Sequence, residues 1–203
     1  MRKINEIQMK LGELNGGEFQ KLMDVYFSKE YKGNLYPIGS VLENNNTKTG
    51  TPDTLIKPIG EKYVYIEYTV QKKNIVSKFK DDISKCFDEE KTGIPKSLIG
   101  KINCCCNTRL GTSEIEELVS MGRDNGIVVE VISLDSIAYK LMEFPFLIKD
   151  FFGISIDTQQ ILEVEDFVSI NDSAKLATPL NVDIFGREEE IENVSRTELK
   201  REA

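Results

Sequence analysis

An acid set inside an apolar strand constrains this chain more than any other feature. Val64-Tyr65-Ile66-Glu67-Tyr68 has the β-branched and aromatic content of a sheet interior, and Glu67 interrupts it. A carboxylate on a largely buried strand is rarely left unpaired, because taking an ionised group out of water is costly. A basic side chain or a metal ion has to neutralise it. A second acid precedes it in Gly50-Thr51-Pro52-Asp53, at the edge of a short strand, Thr54-Leu55-Ile56. Pro58-Ile59-Gly60-Glu61-Lys62 reads as a hairpin turn, and Tyr63 to Gln71 as the returning strand. Antiparallel pairing of the two strands is expected to bring Asp53 close to Glu67. A period of two places Tyr65, Glu67, Thr69, Gln71 and Lys73 on one face, and Ile66, Tyr68 and Val70 on the other. One face is thus acidic and polar, the other apolar.

Around this hairpin the chain alternates helices and strands. Apolar residues recur at three and four over residues 3–29, and Asn15-Gly16-Gly17 interrupts that helix. Tyr31 to Ile38 is a connection or a short strand. Ile75 to Phe87 is an amphipathic helix with Ile75, Val76, Phe79, Ile83 and Phe87 inward. Lys72, Lys73, Lys78, Lys80 and Lys85 cluster about its start and outer side, as a solvated face or as phosphate contacts beside the acids. Leu98 to Cys106 reads as a buried strand. Thr112 to Met121 follows as a helix with a hydroxyl cap, then a second buried strand at Ile127 to Ile132 and a helix at Leu134 to Met142. That order predicts two parallel strands joined by crossover helices. Pro145–Phe152 and Asp157–Leu162 read as shorter helical pieces of an appendage.

Composition narrows the chemistry. The chain has no histidine, which removes Ser-His-Asp and Cys-His catalysis, histidine-ligated zinc and imidazole bases together. The four cysteines, Cys86 and the consecutive Cys104, Cys105 and Cys106, lack the spacing of a zinc site or a disulfide framework and are read as small buried hydrophobes. Hard, oxygen-ligated cations such as Mg²⁺ or Mn²⁺ become the natural cofactors. The net charge of −8 is concentrated in residues 164–203, so the body is nearly neutral and neither supports nor excludes a nucleic-acid partner. No apolar run is long enough for a membrane span, and the charged N-terminus is unlike a signal peptide. A cytoplasmic protein without membrane association is expected.

Two carboxylates meeting at a strand pair, with a donor two or four residues after the second, make a simple divalent-metal site for phosphodiester hydrolysis. Asp53 and Glu67 supply the acids; Thr69, Gln71 and Lys73 offer the donor. This pattern resembles the PD-(D/E)xK nuclease superfamily, the restriction-endonuclease-like fold, and its Mrr-like branch most closely. Pro52-Asp53 matches the first half of the motif and Glu67 the second acid; Thr69 stands where the motif has lysine. The resemblance covers roughly residues 10–143. It implies an α/β fold with a central mixed sheet flanked by helices, followed by a C-terminal helical appendage and linker. It also implies that Glu18, otherwise an acid suited to the first turn of its helix, is an additional metal-binding acid. DNA is the implied substrate, Asp53, Glu67 and Glu18 the implied metal ligands, and Gln71 or Lys73 the implied water-positioning group.

The tail Ile184-Phe185-Gly186-Arg187-Glu188-Glu189-Glu190-Ile191 resembles the entry to STAND NTPases, the signal-transducing ATPases. The expected organisation is therefore a nuclease-like domain over residues 1–163, then a linker and the start of a STAND NTPase domain over residues 164–203. Antiviral STAND proteins of the Avs type carry such effectors. The resemblance implies antiphage DNA cleavage on oligomerisation, with the NTPase domain and further copies of the chain as partners. The competing readings are a non-cleaving module for nucleic-acid binding or oligomerisation, and an unrelated fold in which Glu67 pairs with Lys62 or Lys73 as a surface ion pair.

Overall fold

The computed structural model describes residues 3–31, 33–38, 51–58 and 62–156. All of them belong to one unit, Met1–Thr158. The expected helical piece Asp157–Leu162 and the tail resembling an NTPase entry lie outside the described residues.

The chain opens with two helices, α1 (Lys3–Glu13) and α2 (Gly16–Glu30). Asn15 separates them and caps the second, accepting from the Glu18 N–H at 3.0 Å while Glu18 accepts from the Asn15 N–H at 3.1 Å. This reciprocal capping box satisfies two helix-end donors. Strands β1 (Gly33–Pro37), β2 (Thr54–Pro58) and β3 (Tyr63–Thr69) form an antiparallel meander. Helix α3 (Ile75–Cys86), a short α4 (Glu89–Thr92) and a 3₁₀ turn cross over to β4 (Ile99–Cys106), which pairs parallel with β3. Helix α5 (Thr112–Asp124) crosses to β5 (Val128–Ile132), parallel to β4, and α6 (Leu134–Leu141) and α7 (Pro145–Phe152) follow. The sheet order is β1-β2-β3-β4-β5.

The sheet is covered on both faces. Ile66 and Tyr68 of β3 join the cluster built by α1, α2, α6 and α7, with Ile7, Leu11, Phe19 and Leu147. Tyr65 joins the opposite cluster with Phe79, Ile83 and Leu118 from α3 and α5. Cys104 and Cys106 fall on that second side and Cys105 on the first, all fully buried, as expected of small hydrophobes.

Glu67 and Thr69, on the polar face of β3, are 3% and 4% exposed. Two expectations change. The strand ends at Thr69, so Gln71 and Lys73 follow it rather than lie within it. The cap of α5 is Gly111 rather than a hydroxyl residue, with the Glu114 carboxylate accepting from its N–H at 2.7 Å.

Candidate active site

The meander and the first crossover bring the two predicted acids together. The register of β2 on β3 runs from Ile56 opposite Val64 to Thr54 opposite Ile66, and Asp53 sits one residue before it. The Asp53 carboxylate there accepts the Tyr68 backbone N–H at 2.9 Å, satisfying a donor that β2 no longer reaches. Its own carbonyl accepts from the Ile38 N–H at 2.9 Å, which ties the position to the end of β1. Glu67 is near enough to Asp53 for the Asp53 charge to push its carboxyl up. On its other side Glu67 Oε1 accepts from the Cys86 thiol of α3 at 3.1 Å.

Burial pushes both carboxyls above their ordinary range, Glu67 well above it, with the Asp53 and Asp82 charges adding to its rise. Lys78 opposes the rise at both. The Cys86 thiol is pushed up by burial and by Glu67, so it stays protonated and able to donate. Glu67 makes no ion pair with Lys62 or Lys73 among the described residues, so the surface-pair reading is set aside by burial.

Asp53 lines a cavity of about 240 Å³ between the end of β3 and the start of α2, with Gln20, Thr69, Gln71 and Lys78. Glu67 is not on its surface. A shallower cavity of about 340 Å³ adjoins the first turns of α3 and shares Gln71 and Lys78 with the first. Lys73 is exposed and lines neither. The Glu18 carboxylate is engaged in its helix cap and does not line the cavity. Thr69 Oγ1 accepts from the Gln71 N–H at 3.3 Å, closing the turn out of the strand.

Helix α2 instead presents Gln20 and Asp24. Gln20 is 1% exposed, and its Nε2 completes no hydrogen bond although it sits at the wall of the cavity. Asp24 accepts from Thr54 Oγ1 and from the Tyr68 hydroxyl, each at 2.7 Å. Its carboxyl is also raised, first by burial. Tyr68 is therefore held by two acids, through its backbone N–H and its phenol, and this fixes the end of β3 against α2.

Asp82 and Gln20 were missed from the sequence, though each left a signal, and Lys78 was named there only within the lysine cluster. Asp82 falls in the inward stripe of α3 beside Phe79, Ile83 and Cys86, where an acid needs a partner. Gln20 falls among Phe19, Leu22 and Met23 on the buried face of α2.

No family model matches this chain, and neither a curated protein nor a solved structure shows significant similarity to it. Fold and site define an α/β protein with an open, mixed five-stranded sheet flanked by helices. A carboxylate pair, Glu67 buried and Asp53 half-buried, sits where its antiparallel and parallel halves meet. No described helix is long and apolar enough to cross a membrane.

Proposed function

We propose that this domain is a metal-dependent endonuclease of the restriction-endonuclease-like type, hydrolysing phosphodiester bonds in DNA. The observation that carries the reading is the approach of Asp53 and Glu67 from adjacent strands, Asp53 on the cavity surface and Glu67 buried away from it, with both carboxyls raised by burial. Two neighbouring acids largely out of water, ion-paired with no cation among the described residues, are unfavourable unless a proton or a metal ion is shared between them. The helix, three-strand meander, helix, strand order agrees with the same reading.

The donor set suits a hard divalent ion such as Mg²⁺ or Mn²⁺: carboxylate oxygens only, in a chain without imidazole and with its nearest thiol kept protonated. Among the described residues no three acidic, cysteine or histidine side chains converge on one point, so water would complete the coordination of an ion held by Asp53 and Glu67. When bound, the ion lowers the pKa of water and offsets phosphate charge. Asp53 and Glu67 hold it, Tyr68 N–H and Cys86 orient the two carboxylates, and Gln71 stands at the rim where a water or phosphate oxygen would enter.

In the full reading this is the effector domain of an antiphage STAND NTPase, switched on when the chains assemble. A non-cleaving, DNA-binding or oligomerising module is the alternative, favoured by Thr69 in place of the motif lysine. Supercoiled plasmid incubated with Mg²⁺ separates them. Nicking by the wild type, lost in Asp53→Ala and Glu67→Ala, supports the nuclease. No nicking at high protein concentration, with both variants gaining stability, sinks it.

A further inference from the structure

Thr69 occupies the place of the expected strand lysine, and it is buried, so an ammonium there would lie in the interior at high cost. The strand stops at that residue. The chain then turns through Lys72 to Asn74, which takes the left-handed conformation at φ 57°, and enters α3. The first turns of α3 consequently lie over the end of β3, and their Lys78 reaches the cavity wall beside Asp53.

We propose that Lys78 is the cationic group that contacts the substrate phosphate at this site, held in place by Asp82. The inference rests on the nuclease reading above. Three observations single out Lys78 among the lysines clustered here. It borders both the cavity that Asp53 lines and the shallower one along α3. Its ammonium is ion-paired with Asp82, whose side chain is 10% exposed and whose other oxygen accepts from Lys85 at 3.2 Å. Of the neighbouring lysines, Lys85 borders only the shallower cavity, and the others are paired elsewhere or line neither. Lys72 donates to Gly12 O at 3.0 Å and to Asn107, Lys80 pairs with Glu117, and Lys73 lines neither cavity. A side chain that is 29% exposed, anchored at one oxygen and open toward the cavity, can meet a phosphate oxygen without being buried first.

The test combines two readouts on Lys78→Met, Lys78→Arg and the double variant Lys78→Met with Asp82→Asn, which avoids stranding the Asp82 charge. Metal-free affinity for a labelled DNA duplex is read by anisotropy in EDTA, and plasmid nicking is read in Mg²⁺, with Glu67→Ala as control. Lys78→Met and the double variant are expected to lose about a hundredfold or more in nicking rate, the scale for one preorganised donor. Their metal-free affinity falls several-fold and becomes less salt-dependent. Lys78→Arg keeps most of the affinity, and Glu67→Ala loses nicking but not metal-free binding. Nicking by the double variant within about threefold of wild type, while Glu67→Ala is inactive, overturns the Lys78 assignment and leaves the nuclease reading standing. If the wild type does not nick, that reading fails. Undiminished duplex binding by the double variant, or no binding by the wild type, then overturns the Lys78 contact as well.

Discussion

Replacing Glu67 by Gln tests the energetics of the site without deleting its shape. The substituted amide still offers a carbonyl to accept from the Cys86 thiol, and its amino group can donate to Asp53, so packing and hydrogen bonding survive while the charge goes. In the metal-free wild type the folded-state pKa of Glu67 is raised, first by burial and then by Asp53 and Asp82. A raised pKa means that the folded state binds more protons than the unfolded one. The contribution of Glu67 to stability is therefore greatest below the unfolded carboxylate pKa, near 4.5, and is lost as pH rises toward and through the folded value. Above that value the wild type carries a poorly compensated buried charge that Glu67→Gln lacks. Relief of an under-satisfied buried charge is about 1–3 kcal/mol, or roughly 2–12 °C in melting temperature for a chain of this size. Glu67→Gln should thus melt higher than wild type in EDTA at pH 8, with the gap closing as pH falls toward 4.5. Saturating Mg²⁺ should reverse the order, since an ion at a hundred times its Kd adds about 2.7 kcal/mol to the wild type alone. Differential scanning calorimetry across pH, with and without Mg²⁺, reads both effects. A variant less stable than wild type in EDTA at every pH would show that Glu67 is a well-paired structural charge, and the reasoning would fail.

Two further outcomes follow from the packing. Gly122→Ala puts a Cβ at 2.4 Å from Val129 Cγ2 and 2.7 Å from Ile127 O, so the clash with backbone should outweigh the helix-propensity gain and lower stability by about 1–3 kcal/mol, measured by urea denaturation. Asn107→Ala removes the buried amide that donates to Leu11 O at 3.0 Å and Leu14 O at 3.3 Å and accepts from Lys72 at 3.1 Å. A loss of about 2–4 kcal/mol is expected, with faster amide exchange at the end of α1.

What could be read in advance was set by short-range pattern. The alternation of Tyr65, Ile66, Glu67 and Tyr68 assigned their faces correctly, because a strand's two sides follow from its period alone. The parallel pairing of β4 with β5 followed from helices placed between buried runs. Alternation does not say where a strand stops, so Gln71 and Lys73 were carried along a face that ends at Thr69. From the sequence Glu18 reads as a first-turn acid and a metal ligand, and its capping-box hydrogen bonds with Asn15 occupy it; the cavity is lined from the same helix by Gly16, Phe19 and Gln20. Lys78 was visible only as one lysine of a charged cluster. Its place beside Asp53 depends on the turn through Asn74, a tertiary event that no periodicity encodes.

The central claim is that Asp53 and Glu67 together hold one divalent cation. Titration calorimetry of Mn²⁺ into the purified wild-type protein, repeated with Asp53→Asn and Glu67→Gln, addresses it without relying on turnover. One saturable site per chain is expected in the wild type and none in either variant. Equal binding in all three proteins, or no saturable binding in the wild type, would contradict it.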